Sequence, residues 1–197
     1  MKQDIIFAGV GGQGILSIAA AIGLAARGEK LYVKQSEVHG MSQRGGEVQA
    51  HLRIASTPVN ADLITEGKAD LIISMEPMES LRYINFLSAE GWLITNSTPY
   101  KNIDNYPDEE QVLDYIRQFP NHLLVDADQI ARRFGSAKAS NMVLLGAATS
   151  FLEIDEIAIE ESIQTLFAAK GEKVLEINLN AYHEGLRIGK DVSLHAE

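Results

Sequence analysis

The chain contains no cysteine among its 197 residues, and this absence excludes three kinds of chemistry. Without thiolates it cannot bind an iron–sulfur cluster through cysteine, build a cysteine zinc site or use a cysteine nucleophile. It also cannot form disulfide bonds, which fits a reducing cytoplasm. Its five histidines do not replace the missing ligands, because none stands in an H-x₃-H or H-E-x-x-H pattern. We therefore expect no metal site in the chain.

Long apolar runs and an excess of basic residues are also absent. No run approaches the roughly 18 apolar residues that a membrane span requires, and the start, Met1-Lys-Gln-Asp-Ile5, lacks the apolar stretch of a signal peptide. The net charge of −10 disfavours a general surface for nucleic acid or anionic membrane. We expect a cytoplasmic protein without nucleic-acid or membrane partners, and the length predicts one domain over 1–197.

Glycine is concentrated in one stretch, which we call the glycine turn (Gly9–Gly14). Gly9, Gly11 and Gly14 fit G-x-G-x-x-G, and Gly12 adds a fourth glycine. Apolar residues before the turn predict a strand over about 4–9, and small residues after it predict a helix over about 13–27. Such a turn can present N–H groups at a helix start to a phosphate. It can equally be a close-packed turn without a ligand, and both interpretations stay open.

A dinucleotide-binding fold would place an acidic residue at the end of the second strand, predicted over about 30–35. That position holds Lys34 or Gln35, and Glu37 lies just past it. The sequence therefore disfavours NAD or FAD as the ligand of the glycine turn. A phosphate or another part of a cofactor at the helix start remains compatible with it.

The stretch Ser36–Gly46 has no period and is predicted to be a structured loop that is dense in reactive groups. A catalytic triad is disfavoured because no G-x-S-x-G elbow is present, and we expect no catalytic residue in the chain. Arg44 could bind an anionic ligand or a partner subunit, and a purely structural loop is the alternative. The next stretch, Glu47–Ile54, alternates strictly, which predicts an antiparallel strand with Glu47, Gln49, His51 and Arg53 on its wet face.

The remaining pattern alternates strands with helices. Strands are predicted over about 69–75, 91–95 and 122–126, and Asp108 and Asp155 are predicted to cap helices. A helix over Ser140–Leu152 is apolar on nearly all sides, so the core or a partner should bury it. That helix and the polar face of Glu47–Arg53 are the candidate partner surfaces. A final helix is predicted over Asn178–Gly189.

Two motifs together, Ala8–Gly14 and Ser36–Gly46, resemble the gamma-type subunits of the 2-oxoacid:ferredoxin oxidoreductases. Within that family the likeness is greatest to the subunit called beta in indolepyruvate ferredoxin oxidoreductases. It covers nearly the whole chain, including Asn141–Gly146 and Asn178–Gly185. The resemblance implies an α/β fold of three α/β/α layers, with a mixed, mostly parallel sheet and a Rossmann-like start.

The family's activity is the oxidative decarboxylation of a 2-oxoacid, here an arylpyruvate such as indolepyruvate, to an aryl-acetyl-CoA with reduction of ferredoxin. The resemblance implies that thiamine diphosphate and iron–sulfur clusters lie on a large, cysteine-rich alpha subunit, and that this chain binds no cofactor firmly and is inactive alone. It also implies coenzyme A or subunit-interface contacts at matching positions. These are Gly9, Gly11, Gly12, Gln13, Gly14, Gln43, Arg44, Gly45 and Gly46.

The pair His39-Gly40 and Gln43 favour the arylpyruvate branch over relatives that act on pyruvate or 2-oxoglutarate. Three alternatives stay open. The chain could be the gamma subunit of a pyruvate, 2-oxoglutarate or branched 2-oxoacid enzyme. It could be a stand-alone, Rossmann-like nucleotide-binding protein, or an assembly module without a ligand of its own.

Overall fold

A computed structural model of the chain describes residues 1–39, 45–101, 103 and 105–195, and His39 by its backbone alone. The strands are β1 (Lys2–Val10), β2 (Tyr32–His39), β3 (Glu47–Ala55), β4 (Ala69–Ser74), β5 (Leu87–Asn96) and β6 (His122–Val125). The α-helices are α1 (Ile15–Gly28), α2 (Pro77–Arg82), α3 (Glu109–Arg117), α4 (Ala127–Arg133), α5 (Ser140–Thr149), α6 (Glu156–Phe167) and α7 (Glu172–Ser193).

The strands form one mixed sheet in the order β2-β3-β1-β4-β5-β6. Strands β1, β4, β5 and β6 are parallel to one another and pair in that order. Strand β3 is antiparallel to both β1 and β2. The strict alternation of β3 therefore predicted its direction correctly, and the mixed, mostly parallel sheet is confirmed. Strand β3 also separates β2 from β1, so the chain crosses over through α1 to a strand that does not pair with β1.

Helices cover both faces of the sheet. Alternate residues of β1 point to opposite faces and therefore pack against different helices. Ile5 and Phe7 belong to the larger apolar core, which also contains residues of α1, α5, α6 and α7. Ile6 and Ala8 belong to a smaller core that includes Tyr83 and side chains of α3. Two cores on either side of one sheet make the three layers that the resemblance implied.

Helix α5 is buried by the chain itself. Every residue from Ser140 to Thr149 is buried, and α5 packs in the larger core together with α7. Glycines allow this contact: a Cβ built on Gly146 would lie 2.0 Å from the carbonyl oxygen of Tyr182. The prediction that this helix offers a surface to a partner is therefore wrong, because α5 has no exposed side.

The segment Ser36–His39 belongs to strand β2 and not to a loop. Ser36 pairs with His51 and Val38 with Gln49 across the antiparallel ladder. Pairing with β3 holds these polar residues in an extended backbone, which their composition did not indicate. The predicted loop over Ser36–Gly46 is therefore wrong in its first part, and residues 40–44 lie outside the described residues.

Two helix boundaries also differ from the sequence prediction. The spacing of Met78, Leu81, Ile84 and Leu87 in the sequence fits one helix, but α2 ends at Arg82, a 3₁₀ turn covers Ile84–Phe86, and Leu87 begins β5. Helix α7 begins at Glu172, directly after Gly171, well before the predicted start at Asn178. In both places packing against the rest of the fold, and not the local spacing of apolar residues, determines where the helix begins or ends.

The polar face of β3 is largely used inside the chain. His51 is only 4% exposed, and its Nδ1 accepts a hydrogen bond of 3.0 Å from the backbone N–H of Ile64. Burial lowers the pKa of His51 below its usual value, and the nearby Arg53 lowers it further. The prediction of a wet face is wrong for His51, because the chain after β3 returns to cover it.

Arg53 forms a two-bond ion pair with Asp4, whose side chain is 1% exposed. The guanidinium Nε and Nη2 donate to the two carboxylate oxygens at 2.8 and 3.0 Å. Burial alone would raise the pKa of Asp4, but hydrogen bonds from Arg53 and Lys2 outweigh it and hold this pKa below its usual value. The pair joins β1 to β3 in the register that places Asp4 opposite Arg53.

We predict that Arg53→Met lowers the free energy of unfolding by about 3 kcal/mol at pH 7, because it leaves the carboxylate of Asp4 buried with a weaker partner. The contribution of a carboxylate with a lowered pKa is present above its unfolded pKa and is lost as the pH falls through its folded pKa. The gap between wild type and variant should therefore shrink below about pH 4.

Urea unfolding followed by circular dichroism between pH 3 and 7 measures this gap. Lys34→Met is the matched control, because Lys34 pairs with Asp62 at 2.8 Å with both side chains well exposed. The control should change stability by less than about 1 kcal/mol. Equal losses in the two variants would contradict the importance of the buried pair.

Candidate functional site

The glycine turn lies between the end of β1 and the start of α1, and two of its glycines have backbones that other residues rarely adopt. Gly12 has φ 103° and Gly14 has φ 80°. The backbone N–H groups of Gly12 and Gly14 have no hydrogen-bond partner among the described residues. Unpaired N–H groups at the start of a helix are suited to bind an anion.

Gln13 fixes the turn to the core and does not face a ligand. Its Oε1 accepts a hydrogen bond of 2.8 Å from the N–H of Val10, and its Nε2 donates to the carbonyl of Met75 at 3.1 Å. Gly9 has a packing role as well, since a Cβ at that position would lie 3.3 Å from the Cβ of Met75. These two candidate residues therefore shape the turn from behind.

The two sequence motifs meet in space. The N–H of Gly11 donates to the carbonyl of Gly46 at 2.8 Å, and the N–H of Gly45 donates to the carbonyl of Gly11 at 3.4 Å. Gly45 and Gly46 thus pair directly with the glycine turn. The other two candidates of this motif, Gln43 and Arg44, lie outside the described residues.

A cavity of about 280 Å³ opens at the glycine turn. It lies outside the carboxyl end of β1, between the start of α1 and Val48 of β3. Open α/β sheets bind ligands outside the carboxyl ends of their strands. The cavity is lined by Val10, Gly11, Gly12, Gly14, Ile15, Leu16, Ser17 and Val48.

Asn141 at the start of α5 contacts the glycine turn and carries a buried atom without a partner among the described residues. Its Nδ2 donates to the carbonyl of Gly14 at 3.2 Å, whereas its Oδ1 is buried and has no partner within the described ranges. Sequence reasoning included Asn141 only in a motif of the resemblance. The two residues are 127 positions apart, and no spacing in the sequence indicated their contact.

Glu76 is a second buried polar group at the same edge of the sheet, directly after β4. It is 1% exposed, and its Oε1 accepts hydrogen bonds from the Tyr106 hydroxyl at 2.5 Å and the Tyr100 N–H at 3.3 Å. Its Oε2 accepts from the N–H of Glu79 at 2.8 Å. Burial raises the pKa of Glu76, and these hydrogen bonds oppose the rise only in part. Glu76 therefore ties the segment around Tyr100 and Tyr106 to the strand end.

We predict that Tyr106→Phe lowers the free energy of unfolding by about 2 kcal/mol, because it removes one hydrogen bond to a buried carboxylate. Thermal and urea unfolding measure the loss. Tyr115→Phe is the control, since Tyr115 is half exposed and its ring contacts Phe119 without needing the hydroxyl. A loss below about 0.5 kcal/mol for Tyr106→Phe would show that Glu76 does not depend on this contact.

Metal ligands do not converge in the part of the chain that the structure describes, where no three His, Asp or Glu side chains are grouped to hold an ion. No helix within the described ranges is long and apolar enough to cross a bilayer. The arrangement therefore offers hydrogen-bond donors to an anion at the glycine turn and no ligand set for a metal among the described residues.

The topology also argues against a dinucleotide-binding enzyme. In that fold the second strand lies beside the first, and its end provides an acidic residue for the ribose. Here the antiparallel strand β3 lies beside β1, and β2 is at the edge of the sheet. Glu37 pairs with Ala50 within the β2–β3 ladder, one strand away from the glycine turn.

Comparison with known proteins agrees with the two motifs. The family model for pyruvate ferredoxin/flavodoxin oxidoreductase matches residues 4–188. The chain is 35% identical to the indolepyruvate oxidoreductase subunit IorB of Pyrococcus horikoshii over 201 residues, which cover 98% of each chain. It is 29% identical to the common gamma subunit of the pyruvate/ketoisovalerate oxidoreductases of Pyrococcus furiosus, over 92% of this chain and 96% of that subunit.

A solved structure shows the same fold. The 2-oxoglutarate:ferredoxin oxidoreductase of Magnetococcus marinus, with 2-oxoglutarate, coenzyme A and succinyl-CoA bound, matches with a TM-score of 0.72 at 24% identity. The match covers 96% of this chain and 31% of that one, so this chain spans about a third of the larger protein. The predicted three-layer fold with a mixed sheet is confirmed.

Proposed function

The chain belongs to the pyruvate ferredoxin/flavodoxin oxidoreductase family, and from this we propose that it is the small, non-catalytic subunit of an indolepyruvate-type oxidoreductase, folded as one domain. The observation that carries the proposal is the full-length similarity to an indolepyruvate oxidoreductase subunit. The sequence identity is 35% to that subunit and 29% to a pyruvate/ketoisovalerate subunit. The pair of motifs around Gly11 and Gly46 supports the same assignment.

The reaction proposed for the complex is the oxidative decarboxylation of an arylpyruvate. The bond between the carboxylate and the carbonyl carbon breaks and releases carbon dioxide, and the acyl group forms a thioester with coenzyme A. Two electrons pass to two oxidised ferredoxins, and the thiol proton is released. Atoms and electrons balance in this reaction with ferredoxin as the oxidant.

We assign thiamine diphosphate and the iron–sulfur clusters to a large, cysteine-rich partner. This chain has no cysteine with which to bind a cluster, and its described residues contain no group of metal ligands. The chain's own part is then to fold against the partner and to help bind coenzyme A. Removal of this subunit should abolish turnover of the complex without loss of the clusters.

We propose that the glycine turn contacts a phosphate of coenzyme A. The N–H groups of Gly12 and Gly14, which no described residue pairs, suit a phosphate oxygen. Gln13 and Gly9 support the turn from the core, and Gly45 and Gly46 hold the second motif beside it. Arg44, one residue before Gly45, would add a charged contact.

Co-expression with the partner subunit and a substrate panel test this proposal. The chain should co-purify with a large cysteine-rich protein, and the complex should reduce a viologen dye with indolepyruvate and phenylpyruvate. Pyruvate, 2-oxoglutarate and 2-oxoisovalerate should support much slower reduction. A complex that prefers one of these three would assign the chain to the corresponding branch of the family.

A further inference from the structure

Strand β2 forms one edge of the sheet, and none of the described strands pairs with its outer side. It runs over eight residues, Tyr32–His39, whereas β6 at the opposite edge has four. Natural sheets protect long edges with proline or a β-bulge, because the free N–H and C=O groups of an edge strand can pair with another chain. Strand β2 contains no proline, and its ladder with β3 has no register shift from Tyr32 to His39. The edge is therefore suited to add a further strand.

Two exposed apolar side chains lie near the two ends of β2. Tyr32 is 49% exposed and Val38 is 56% exposed. They are six positions apart, so they point to the same face of the sheet, about 20 Å from each other along the strand. An aromatic ring opposite a β-branched side chain is a favourable cross-strand pair. Tyr32 and Val38 cannot form this pair within one chain, but they can form it between two chains.

An antiparallel second copy of β2 brings these side chains together. With a twofold axis at Gln35, Tyr32 of each copy lies opposite Val38 of the other, so the favourable pair forms twice. Every second residue of a strand directs both its N–H and its C=O to the neighbouring strand, so this register provides about six to eight hydrogen bonds. The edge of β2 is thus complementary to itself.

The charges of β2 favour the same register. An axis at Gln35 places Lys34 opposite Ser36 and Glu37 opposite Val33, so no like charges face each other. An axis one residue earlier would place Lys34 opposite Lys34 of the second copy. An axis one residue later would place Lys34 opposite an apolar side chain and would separate the aromatic ring from its β-branched partner. Only the register around Gln35 avoids both conflicts.

We propose that the β2 edge binds a second copy of this chain, with the two β2 strands antiparallel around Gln35. Two six-stranded sheets then become one sheet of twelve strands. In a complex with a large partner subunit, this contact would join two copies of the complex through their small subunits. The inference uses the surface of this chain alone, so it goes beyond the proposed function and does not depend on it.

A single introduced thiol tests the contact without background, because the chain has no cysteine. Gln35→Cys places two thiols opposite each other across the axis, at a Cα separation that a disulfide allows. Mild oxidation of the full chain should convert most of this variant to a covalent dimer on a non-reducing gel. Tyr115→Cys is the control, because Tyr115 is also exposed but lies on α3, and it should remain monomeric on the gel. No dimer of Gln35→Cys, or equal amounts for both variants, overturns the proposal.

A charge exchange tests the register by sedimentation equilibrium of the full chain. The wild type should be dimeric at micromolar concentration. Tyr32→Glu/Val38→Glu places carboxylates opposite each other at both ends of the strand pair and should raise the dissociation constant at least about tenfold. Tyr32→Lys/Val38→Glu places an ammonium opposite each carboxylate and should regain most of this affinity. Circular dichroism should show an intact fold for both variants, since the two wild-type side chains are exposed.

The contradicting outcomes are distinct from failure of the proposed function. A wild-type chain that stays monomeric, or a Lys/Glu variant that associates no more tightly than the Glu/Glu variant, overturns the proposal. Loss of the Gln35→Cys crosslink when the large partner subunit is added would show that the partner occupies the edge, which also overturns it. Turnover of the complex with indolepyruvate tests the proposed function separately.

Discussion

Replacing Gly185 with alanine will cost the protein about 4 kcal/mol or more of unfolding free energy, enough to leave much of it unfolded at 37 °C. A Cβ on Gly185 would lie 1.9 Å from the carbonyl oxygen of Val143 and 2.8 Å from its carbonyl carbon. Both atoms belong to the backbone of α5, so no rotamer change can relieve the contact. The two helices would have to move apart and open the larger core, in which both are buried.

The matched control is Gly28→Ala at the end of α1, where a Cβ would meet no atom within 4 Å in the part of the chain that the structure describes. Alanine is also the better helix former, so this variant should equal or exceed the wild type by up to about 1 kcal/mol. Circular dichroism during urea and thermal unfolding compares the two. If Gly185→Ala unfolded at the same midpoint as Gly28→Ala, the close contact of α5 with α7 would be wrong.

The second large effect is expected at Gly14, where alanine meets two obstacles. The backbone at φ 80° disfavours any residue with a Cβ, and that Cβ would lie 2.7 Å from Nδ2 of Asn141. Because Asn141 is almost completely buried, its amide has little room to move aside. We expect Gly14→Ala to lower the unfolding free energy by about 3 kcal/mol and to weaken coenzyme A binding by the complex at least about tenfold.

A double-mutant cycle separates the two obstacles. In an Asn141→Ala background the steric part disappears, and Gly14→Ala should then cost only about 1 to 2 kcal/mol of backbone strain. Gly12→Ala provides the same reference in the wild type, since φ is 103° there and a Cβ would meet no atom of the described residues within 4 Å. An identical cost of Gly14→Ala in both backgrounds would contradict the contact between the turn and α5.

Much of the fold follows from local sequence signals. The glycine turn between an apolar strand and a helix of small residues is where it was predicted. Asp108 and Asp155 cap α3 and α6 as predicted, accepting from the N–H groups of Gln111 and Ile157 at 3.1 and 2.8 Å. Strict alternation over Glu47–Ile54 identified the antiparallel strand. These features depend on near neighbours in the chain, which is why the sequence alone could indicate them.

Features that depend on distant contacts could not be predicted in this way. His51 alternates as a solvent-facing residue would, yet the returning segment at Ile64 buries it. The apolar sequence of α5 predicts that the helix is buried, but it does not indicate whether a partner or the chain's own α7 covers it. At the candidate site the N–H donors of the glycine turn were predictable. The contact of Asn141 with Gly14 and the inward orientation of Gln13 depend on tertiary packing.

Reconstitution of the reaction tests the central proposal most directly. The purified partner subunit, with thiamine diphosphate, coenzyme A and indolepyruvate, is assayed for reduction of ferredoxin before and after this chain is added. We predict negligible reduction by either chain alone and rapid reduction by the mixture, with saturation near one chain per partner. A partner subunit that reduces ferredoxin equally fast without this chain would contradict the proposal that the chain is an essential subunit of the oxidoreductase.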